Sequence, residues 1–437
     1  MNTALSTLLL ILAPLLPLLL AFPALRSRLS RPCYIALLPA FILLAVPVGI
    51  SIDLPWLLLG SGLGIDDGAG RLLLAVSVLL WTAAATLLHT AKGKPADDRL
   101  TTCFLLTLAG NLGVILATDL VGFFAFSTLM GYGFYALLVA GGDGGRRRVA
   151  RLYLAFLILA DLALFEALLI AAATTKDLGL EAVRQAMAQA PSSALYLSMV
   201  LIGFAAKAGV WPLHFWLPLA FGSSRLAVAL LLGVVPVATA LLGVVRWLPL
   251  GEISLPVPGL IIQGLGVAAM LYAILTGVKR AQLKMLPAYA TIFATGLFAA
   301  ALGVGLSDPV AWNRHEGLAY LFIASLGFGV AVLVATTGWL LARVHCPATP
   351  EKQADNLSPW FERWSGAIMH WAARMGIDTL PRLRAAWRAK VSHLWQIRAW
   401  QRVLDGSERS LQRWAYAITL FLLLGIVVVF VGASSWV

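Results

Sequence analysis

Charged residues are scarce in this sequence. Asp, Glu, Lys and Arg make up 12% of its 437 residues, about half of the roughly 25% found in soluble globular domains. Hydrophobic residues make up 60%, and they recur in runs of about 20 residues, the length that a helix needs to cross a bilayer. The composition therefore excludes a soluble fold and predicts an integral membrane protein.

The apolar runs also lack the alternation of apolar and polar residues that is typical of membrane barrels. Backbone groups inside a membrane must be hydrogen-bonded within the protein, so only helices and closed barrels can span it. Because alternation is absent, helices remain. The predicted fold class is all-α, a polytopic membrane protein.

Cysteines and enzyme motifs are few. Cys33, Cys103 and Cys346 lie far apart and form no CxxC or His/Cys metal spacing, so we interpret them as inert, buried thiols and predict no metal site. The GSGLG stretch at 60–64 lacks a preceding strand and the remaining Rossmann spacing, so we interpret it as a loop. The sequence contains no P-loop and no recognisable catalytic triad. These absences argue against a soluble-type enzyme and against a cofactor.

The apolar runs predict about twelve spans. The first is interpreted as a membrane helix, because no charge precedes it and no convincing cleavage site follows it. Span seven contains a Trp-Pro pair that should break it. In chain order the predicted spans are 4–22, 33–50, 71–91, 101–118, 120–140, 151–173, 195–217, 226–247, 259–277, 284–305, 316–342 and 414–434.

Positive charge is distributed unevenly between the connections. Counting residues at the span ends with the adjoining connections, the odd-numbered connections hold 26 Lys and Arg residues and the even-numbered ones hold 5, with Lys207 left inside the membrane. Positively charged loops stay in the cytoplasm, so both chain ends are predicted to face outward from a bacterial cytoplasmic (inner) membrane. Orientation thus accounts for the net charge of +12 without a nucleic-acid partner.

Residues 343–413 depart from the apolar pattern, with 12 Lys and Arg residues and six tryptophans. A basic face opposite a Trp/Leu face is typical of a helix that lies on the membrane or on a partner protein; the alternative is a solvated cytoplasmic loop. The predicted division is a helix bundle over 1–342, this cytoplasmic amphipathic segment, and an anchor helix within 414–437. The predicted surface contacts are Trp364, Trp371, Trp387, Arg384 and Arg388.

Ionisable side chains inside apolar spans cost about 2.5–3.5 kcal/mol each on insertion scales, so each is a candidate functional residue. Lys207 lies near the centre of span seven, and Asp161 and Glu166 lie in span six. Five positions correspond to about 140° around a helix, so only one of the two carboxylates can face a given neighbour. Their alternatives are structural: a snorkelling lysine, a static ion pair for Asp161, and exposure at the outer interface for Glu166.

His214 follows the Trp211–Pro212 pair, and a break there frees backbone groups that must face protein or water. A structural histidine is the alternative. Lys284 lies beside Lys279 and Arg280, so anchoring at the cytoplasmic surface could explain it.

The stretch AAKAGVWPLHFWLPLA at 205–220 is similar to the seventh-helix motif of the antiporter-like subunits shared by respiratory complex I, Mrp cation/proton antiporters and membrane-bound hydrogenases. RAQLKMLPAYATI at 280–292 resembles the tenth-helix motif, and 117–140 resembles the fifth helix. ILADLALF at 158–165 resembles the sixth helix of the distal complex I subunit and of its Mrp and inorganic-carbon-transporter relatives. The resemblance covers roughly residues 50–345.

The resemblance implies a proton path through the middle of the membrane. Lys207 falls on the family's seventh-helix lysine, Asp161 on its sixth-helix aspartate, and Lys284 and Tyr289 on its tenth-helix motif. Movement of a carboxylate relative to a buried lysine changes the stability of the charged form, so Asp161 could load and unload a proton on Lys207. The candidates for the ion pathway are Lys207, Asp161, Glu166, His214, Lys284, Tyr289 and Thr128.

Several family positions are changed. Thr128 stands where the family has the fifth-helix glutamate that pairs with the lysine, and Leu232 or Pro236 stands near the eighth-helix basic residue. Span eleven retains no lysine or histidine, and the family's later discontinuous helix is missing. Thr128, Tyr132 and Tyr135 form a polar stripe that could hold water. Half of the usual charged relay is therefore absent.

We interpret the chain as an antiporter-like, proton-translocating subunit of a multi-subunit membrane complex, and as non-catalytic in itself. The expected partners are other subunits, one of them on the cytoplasmic side, together with the bilayer and protons or other small ions. One alternative is the membrane subunit of a two-component inorganic-carbon (bicarbonate or CO2) uptake system with a cytosolic zinc partner. The other is a non-conducting scaffold.

Overall fold

The computed structural model describes residues 3–54, 61–65, 68–90, 98–140, 144–280 and 283–345. Helices dominate this part of the chain, and the predicted all-α polytopic fold is confirmed. The α-helices are α1 Thr3–Leu20, α2 Pro23–Arg26, α3 Pro32–Leu43, α4 Gly68–Thr90, α5 Asp98–Leu116, α6 Leu120–Val139, α7 Gly144–Thr174, α8 Leu180–Gln189, α9 Ser193–Ala208, α10 Trp216–Ser223, α11 Leu226–Leu231, α12 Thr239–Trp247, α13 Pro256–Arg280, α14 Leu286–Ser307 and α15 Pro309–His345.

Eight helical segments of the described chain are long and apolar enough to cross a membrane. They lie on the third to sixth and the eighth to eleventh predicted spans, and they are Gly70–His89, Asp98–Leu116, Leu120–Val139, Arg147–Thr174, Leu226–Trp247, Pro256–Gly277, Leu286–Ser307 and Pro309–Leu341. The other three predicted spans in the described chain fall on shorter apolar helices, Leu5–Leu20, Pro32–Leu43 and Ser193–Ala208. The span 414–434 and the segment 343–413 lie outside the described residues.

Contacts group the described chain up to Gly338 into one compact unit, and Trp339 begins a second unit of which the structure describes only the end of α15. Within the first unit, α5 pairs with α6, α7 packs against α9, α12 packs against α9, and α13 pairs with α14. The division at 342 and 413 remains a prediction.

The predicted second span, 33–50, is shorter in the structure. Helix α3 ends at Leu43, and the chain then enters a strand at Ile50. Pro47 lies between them, and the residue before a proline is disfavoured in the helical region. The helix therefore stops before the end of the apolar run.

A two-stranded hairpin follows, which the sequence pattern did not predict. Strand β1 (Ile50–Leu54) pairs antiparallel with β2 (Ser61–Ile65), so the interpretation of 60–64 as a loop was wrong from Ser61 onward. Asp119, at the N-cap of α6, accepts hydrogen bonds from the Gly62 nitrogen at 2.8 Å and the Gly122 nitrogen at 2.7 Å. Glycine is depleted in strands, so the local sequence of β2 carries little strand signal. The strand is held by the distant Asp119 carboxylate instead.

Span seven is discontinuous, as predicted. Helix α9 ends at Ala208, Gly209 adopts a left-handed conformation with φ of +64°, and α10 begins at Trp216. The peptide between Trp211 and Pro212 is cis. The residues between the two helices bring the Trp216 indole nitrogen to 3.3 Å from the Ala206 carbonyl oxygen, which gives this carbonyl at the helix end a second donor besides the Gly209 N–H at 3.4 Å.

Span eight lies at the centre of the bundle. Residues 227–245 of the segment Leu226–Trp247 are all buried, and between α11 and α12 the segment widens into a π-helical turn, Gly233–Ala238, which contains Pro236. Proline has no N–H to donate, so a regular α-helical ladder cannot pass through it unchanged. Such π turns are frequent at functional sites.

Arg246 joins this central helix to α5. Its guanidinium donates to the carbonyl oxygens of Val114, Ile115 and Ala117 at 3.2, 2.9 and 3.1 Å. These carbonyls lie at the C-terminal end of α5, where a helix lacks internal partners. A cation at this end also interacts favourably with the helix dipole.

We expect Arg246→Met to lower the thermal unfolding midpoint of the purified protein, because three carbonyls lose a charged donor and each such bond contributes about 1.5–3 kcal/mol. The measurement is a melting curve in detergent. Arg314→Met is the matched control, because Arg314 is exposed. Equal midpoints for the two variants would contradict the capping role.

The orientation of the helices is tested by labelling from outside the cell. In a chain whose native cysteines are replaced, an impermeant thiol reagent should label Lys176→Cys, which lies in an exposed connection after α7, and should miss Gly144→Cys at the start of that helix. The reason is the placement of positive charge on the cytoplasmic side. The reverse pattern would overturn the predicted orientation.

Candidate functional site

A buried ion pair joins α7 to α9. Lys207 lies in the last turn of α9 with 6% of its surface exposed, and Asp161 lies near the middle of α7 with 8% exposed. The Lys207 Nζ is 2.7 Å from the Asp161 Oδ1. The two ionisable residues that the sequence placed deepest in spans six and seven are thus in direct contact.

Small residues allow the helices around the pair to approach closely. A Cβ at Gly203 of α9 would lie 2.6 Å from the Leu164 side chain of α7, and a Cβ at Gly131 of α6 would lie 2.6 Å from Leu157 of α7. Close backbone approach at small residues is typical of helix packing in membranes. It gives the short Asp161 side chain access to Lys207.

Aromatic packing holds α6, the third helix of the site, against α9 and α12. Phe123 of α6 and Phe204 of α9 meet edge to face with ring centroids 5.9 Å apart, and Trp247 of α12 packs against both, at 5.9 and 5.5 Å. One turn further along α6 and α9 lie Ser127 and Lys207. The aromatic cluster therefore holds these two residues side by side.

Ser127, and not Thr128, is the α6 residue that contacts the lysine. The Lys207 ammonium donates a hydrogen bond to the Ser127 Oγ at 2.7 Å. Thr128 is half-buried, and its Oγ1 is enclosed without a hydrogen-bond partner among the described residues. The correspondence of Thr128 with the family's lysine-pairing position, and its place in the ion pathway, remain predictions.

The sequence analysis missed Ser127 because it followed a different face of α6. The stripe that begins at Thr128 and continues through Tyr132 and Tyr135 lies on a partly exposed face of α6. Ser127, together with Met130 and Phe134 at three and seven residues further on, lies on the buried face. This spacing is the i, i+3, i+7 pattern of a packed face, and it is the signal that could have identified Ser127.

The Asp161 carboxylate retains an open acceptor. Its Oδ2 is enclosed and has no hydrogen-bond partner in the described part of the chain. Buried carboxylate oxygens are usually satisfied by a donor or an ordered water. The pair can therefore accept one further donor.

His214 lies in the break between α9 and α10. It is 1% exposed, and its ring packs against Tyr272 of α13 with centroids 4.7 Å apart. Neither ring nitrogen forms a hydrogen bond to a described residue. His214 makes no direct contact with the ion pair through a hydrogen bond, so its place in the ion pathway remains a prediction.

The remaining candidates are separate from the pair. Glu166 is exposed on the outer face of α7, and Lys284 is exposed on a short 3-10 turn, Leu283–Met285, before α14. Tyr289 is buried in α14. None of the three forms an ion pair or hydrogen bond with Lys207 or Asp161 in the described structure. The five predicted surface contacts between 364 and 388 lie outside the described residues.

A buried polar network lies next to the same face of α6, and the sequence pattern did not indicate it. The Asn111 Oδ1 accepts hydrogen bonds from Ser77 at 2.7 Å and from the Trp81 indole at 2.8 Å. The Asn111 amide and the Thr239 hydroxyl each lie 3.7 Å from the Met130 sulfur. Thr239 begins α12 directly after the π turn, so polar groups extend from the pair's side of α6 to the central helix.

The described part of the chain holds no group of three His, Cys, Asp or Glu side chains suited to a metal ion. Cys33 is buried, as expected, whereas Cys103 is only half-buried. The chemistry available at the site is proton exchange between an amine, a carboxylate and hydroxyl groups.

Residues 117–339, just over half of the chain, match the family described as "NADH:quinone oxidoreductase/Mrp antiporter, TM". The chain belongs to this family. The resemblance to antiporter-like subunits is thereby confirmed, and the matched range contains the ion pair and both breaks in regular helix geometry.

Two curated relatives of this antiporter-like chain are subunits of quinone oxidoreductases. NADH-quinone oxidoreductase subunit N of Thioalkalivibrio sulfidiphilus is 24% identical over 68% of this chain and 63% of its own length. NAD(P)H-quinone oxidoreductase chain 4 2 of Thermosynechococcus vestitus is 29% identical over 69% of this chain and 54% of its own. The chain spans about half to three fifths of the length of such relatives.

The fold of the antiporter-like chain is also that of a solved structure. A chain of the Mrp complex from Dietzia sp. DQ12-45-1b superposes with a TM-score of 0.63 at 21% identity, covering 76% of this chain and 63% of that one. At this identity the likeness establishes the fold alone.

Proposed function

We propose that this chain is an ion-translocating membrane subunit of a multi-subunit complex, with Lys207, Asp161 and Ser127 as its proton-exchange site. The observation that carries the proposal is the 2.7 Å ion pair held directly before a helix break. A buried pair of this kind adds little to stability on balance, and ionisable groups inside a membrane are functional by default.

The geometry supports a simple exchange cycle. With Asp161 in contact, the Lys207 ammonium has a counter-charge and a second acceptor in Ser127. If Asp161 withdraws, a buried ammonium without a counter-charge is costly, and loss of its proton relieves that cost. The break after Ala208 provides a point where α9 can move without rearranging a continuous helix.

Proton flux through the intact complex tests the function. The complex is purified from native membranes, reconstituted in proteoliposomes with an internal pH dye, and driven by an imposed potential or by its partner's reaction. We expect proton movement that depends on this chain. Uptake of bicarbonate without proton flux would support the inorganic-carbon alternative instead.

The non-conducting scaffold is the second candidate, because specific family positions are changed. Thr128 has no hydrogen-bond partner in the part of the chain that the structure describes, and neither Leu232 nor Pro236, both buried in the central segment, can carry a proton. A complex that assembles and turns over normally but shows no chain-dependent flux would favour this candidate.

A cytoplasmic partner is proposed to dock on the segment 343–413. We expect the combined substitution of Trp364, Trp371 and Trp387 by serine to release that partner, because the apolar anchors of its contact are removed. Co-purification of the tagged chain measures the loss, and the membrane fraction must still contain the chain. An intact complex would assign the segment to the lipid surface alone.

A further inference from the structure

The outer face of α7 carries a carboxylate among apolar side chains. Ile158, Leu162, Phe165 and Leu169 on this face are 49%, 66%, 45% and 48% exposed, and Glu166 is exposed between them. The spacing of these residues, at i, i+4, i+7, i+8 and i+11, defines one continuous stripe along the helix. We call it the α7 stripe.

The depth of Glu166 makes its exposure costly. It lies within Arg147–Thr174, a segment long and apolar enough to cross a membrane, and eight residues before the end of α7 at Thr174. A glutamate lacks the long stem with which lysine and arginine reach the interface. No described residue forms an ion pair or hydrogen bond with its carboxylate.

Neither the described residues nor the predicted span 414–434 offers a matching group for this carboxylate. The last predicted span, 414–434, contains no Lys, Arg, His, Asn or Gln, and the basic segment 343–413 is predicted on the cytoplasmic side, at the opposite end of α7. A second copy that docked by the same face would bring two Glu166 carboxylates together in a two-fold interface. Like charges at that depth would repel each other.

We propose that the α7 stripe is the interface with a different membrane subunit, whose spanning helix places a Lys, Arg or His side chain opposite Glu166. This inference rests on the proposed membership of a multi-subunit complex and names one of its contacts. Charge complementarity gives specificity at such a contact, while the four apolar side chains supply packing area. Glu166 is then a recognition residue, and Asp161, five residues earlier on another face of α7, remains in the proton-exchange site.

Site-specific photocrosslinking in native membranes tests the interface. A benzophenone amino acid is placed at Leu162 or Leu169 on the stripe, and at Leu260 of α13, which is 68% exposed, as a control. We expect stripe adducts on a spanning segment of another subunit, within about one helical turn of a basic residue. Adducts confined to lipid, to residues 414–434 or to a second copy of this chain would overturn the proposal.

Charge reversal sharpens the test. Glu166→Lys should lower the crosslinking yield at Leu162 by about tenfold or more, because it opposes two positive charges at low dielectric. Glu252→Lys, a reversal at an exposed glutamate between α12 and α13, should leave the yield unchanged. Exchanging the partner's basic residue for glutamate should restore the yield in Glu166→Lys, and failure to do so would refute the pairing. Absence of proton flux in the wild-type complex would leave these results standing, so the two proposals fail separately.

Discussion

Lys207→Met is expected to abolish proton translocation by the reconstituted complex while leaving the chain in the membrane. Methionine has a similar volume and no proton to exchange, and removal of a charged group lowers the cost of membrane insertion. Positioned acid–base groups contribute about a hundredfold or more to proton-transfer steps, so flux should fall to near the level of empty liposomes. The measurement is the rate of internal pH change at equal protein content.

Two further variants separate charge from exchange. Lys207→Arg keeps the positive charge, yet should also fail, because arginine does not release its proton. Lys176→Met, at an exposed position after α7, removes a lysine from the surface and should transport normally. Full transport by Lys207→Met would refute the proton-exchange site and favour the non-conducting scaffold as the function of this chain.

Stability provides an independent readout of the same pair. Breaking one partner of a buried ion pair costs about 3–5 kcal/mol, because the other charge is left uncompensated. Lys207→Met should therefore melt at a lower temperature than the wild type. Adding Asp161→Asn to it should recover much of that loss without recovering flux, since no buried charge remains.

Asp161→Asn alone is expected to lower proton flux by about tenfold without abolishing it. The amide can still accept a hydrogen bond from Lys207 but supplies no counter-charge. Lys207 can therefore still carry a proton, but no carboxylate stabilises its charged form when it binds that proton. Glu252→Gln, an equal change at an exposed position, is the control. Wild-type flux in Asp161→Asn would mean that the 2.7 Å contact is only structural.

The course of the helices was largely predictable, because lipid forces long apolar runs into helices whatever their neighbours are. The contact between Lys207 and Asp161 was also suggested by their spans, since two opposite charges deep in a membrane have few other partners. Composition alone could not choose Ser127 over Thr128, because both carry hydroxyls; the spacing of Ser127 with Met130 and Phe134 on the buried face of α6 was the signal that distinguished them.

Features that depend on distant partners were not predictable. Strand β2 is held by Asp119, 57 residues away from Gly62, and nothing in its glycine-rich sequence indicates that carboxylate. In the sequence Asn111 looks like an ordinary polar residue, and only the structure shows that Ser77 and Trp81 donate hydrogen bonds to its amide oxygen. The π turn at Pro236 likewise follows from the packing of its buried surroundings, whereas the sequence shows only a proline in an apolar run.

The left-handed Gly209 has an electrostatic consequence. By ending α9 at Ala208, one residue after Lys207, it places the lysine in the last turn at the carbonyl end of a helix, where the aligned peptide dipoles amount to about half a negative charge. In an unbroken helix the same lysine would lie mid-helix and feel almost none of this field. Backbone geometry thus gives the cation a partial counter-charge that no side-chain substitution removes, and it persists through any stage at which Asp161 moves away.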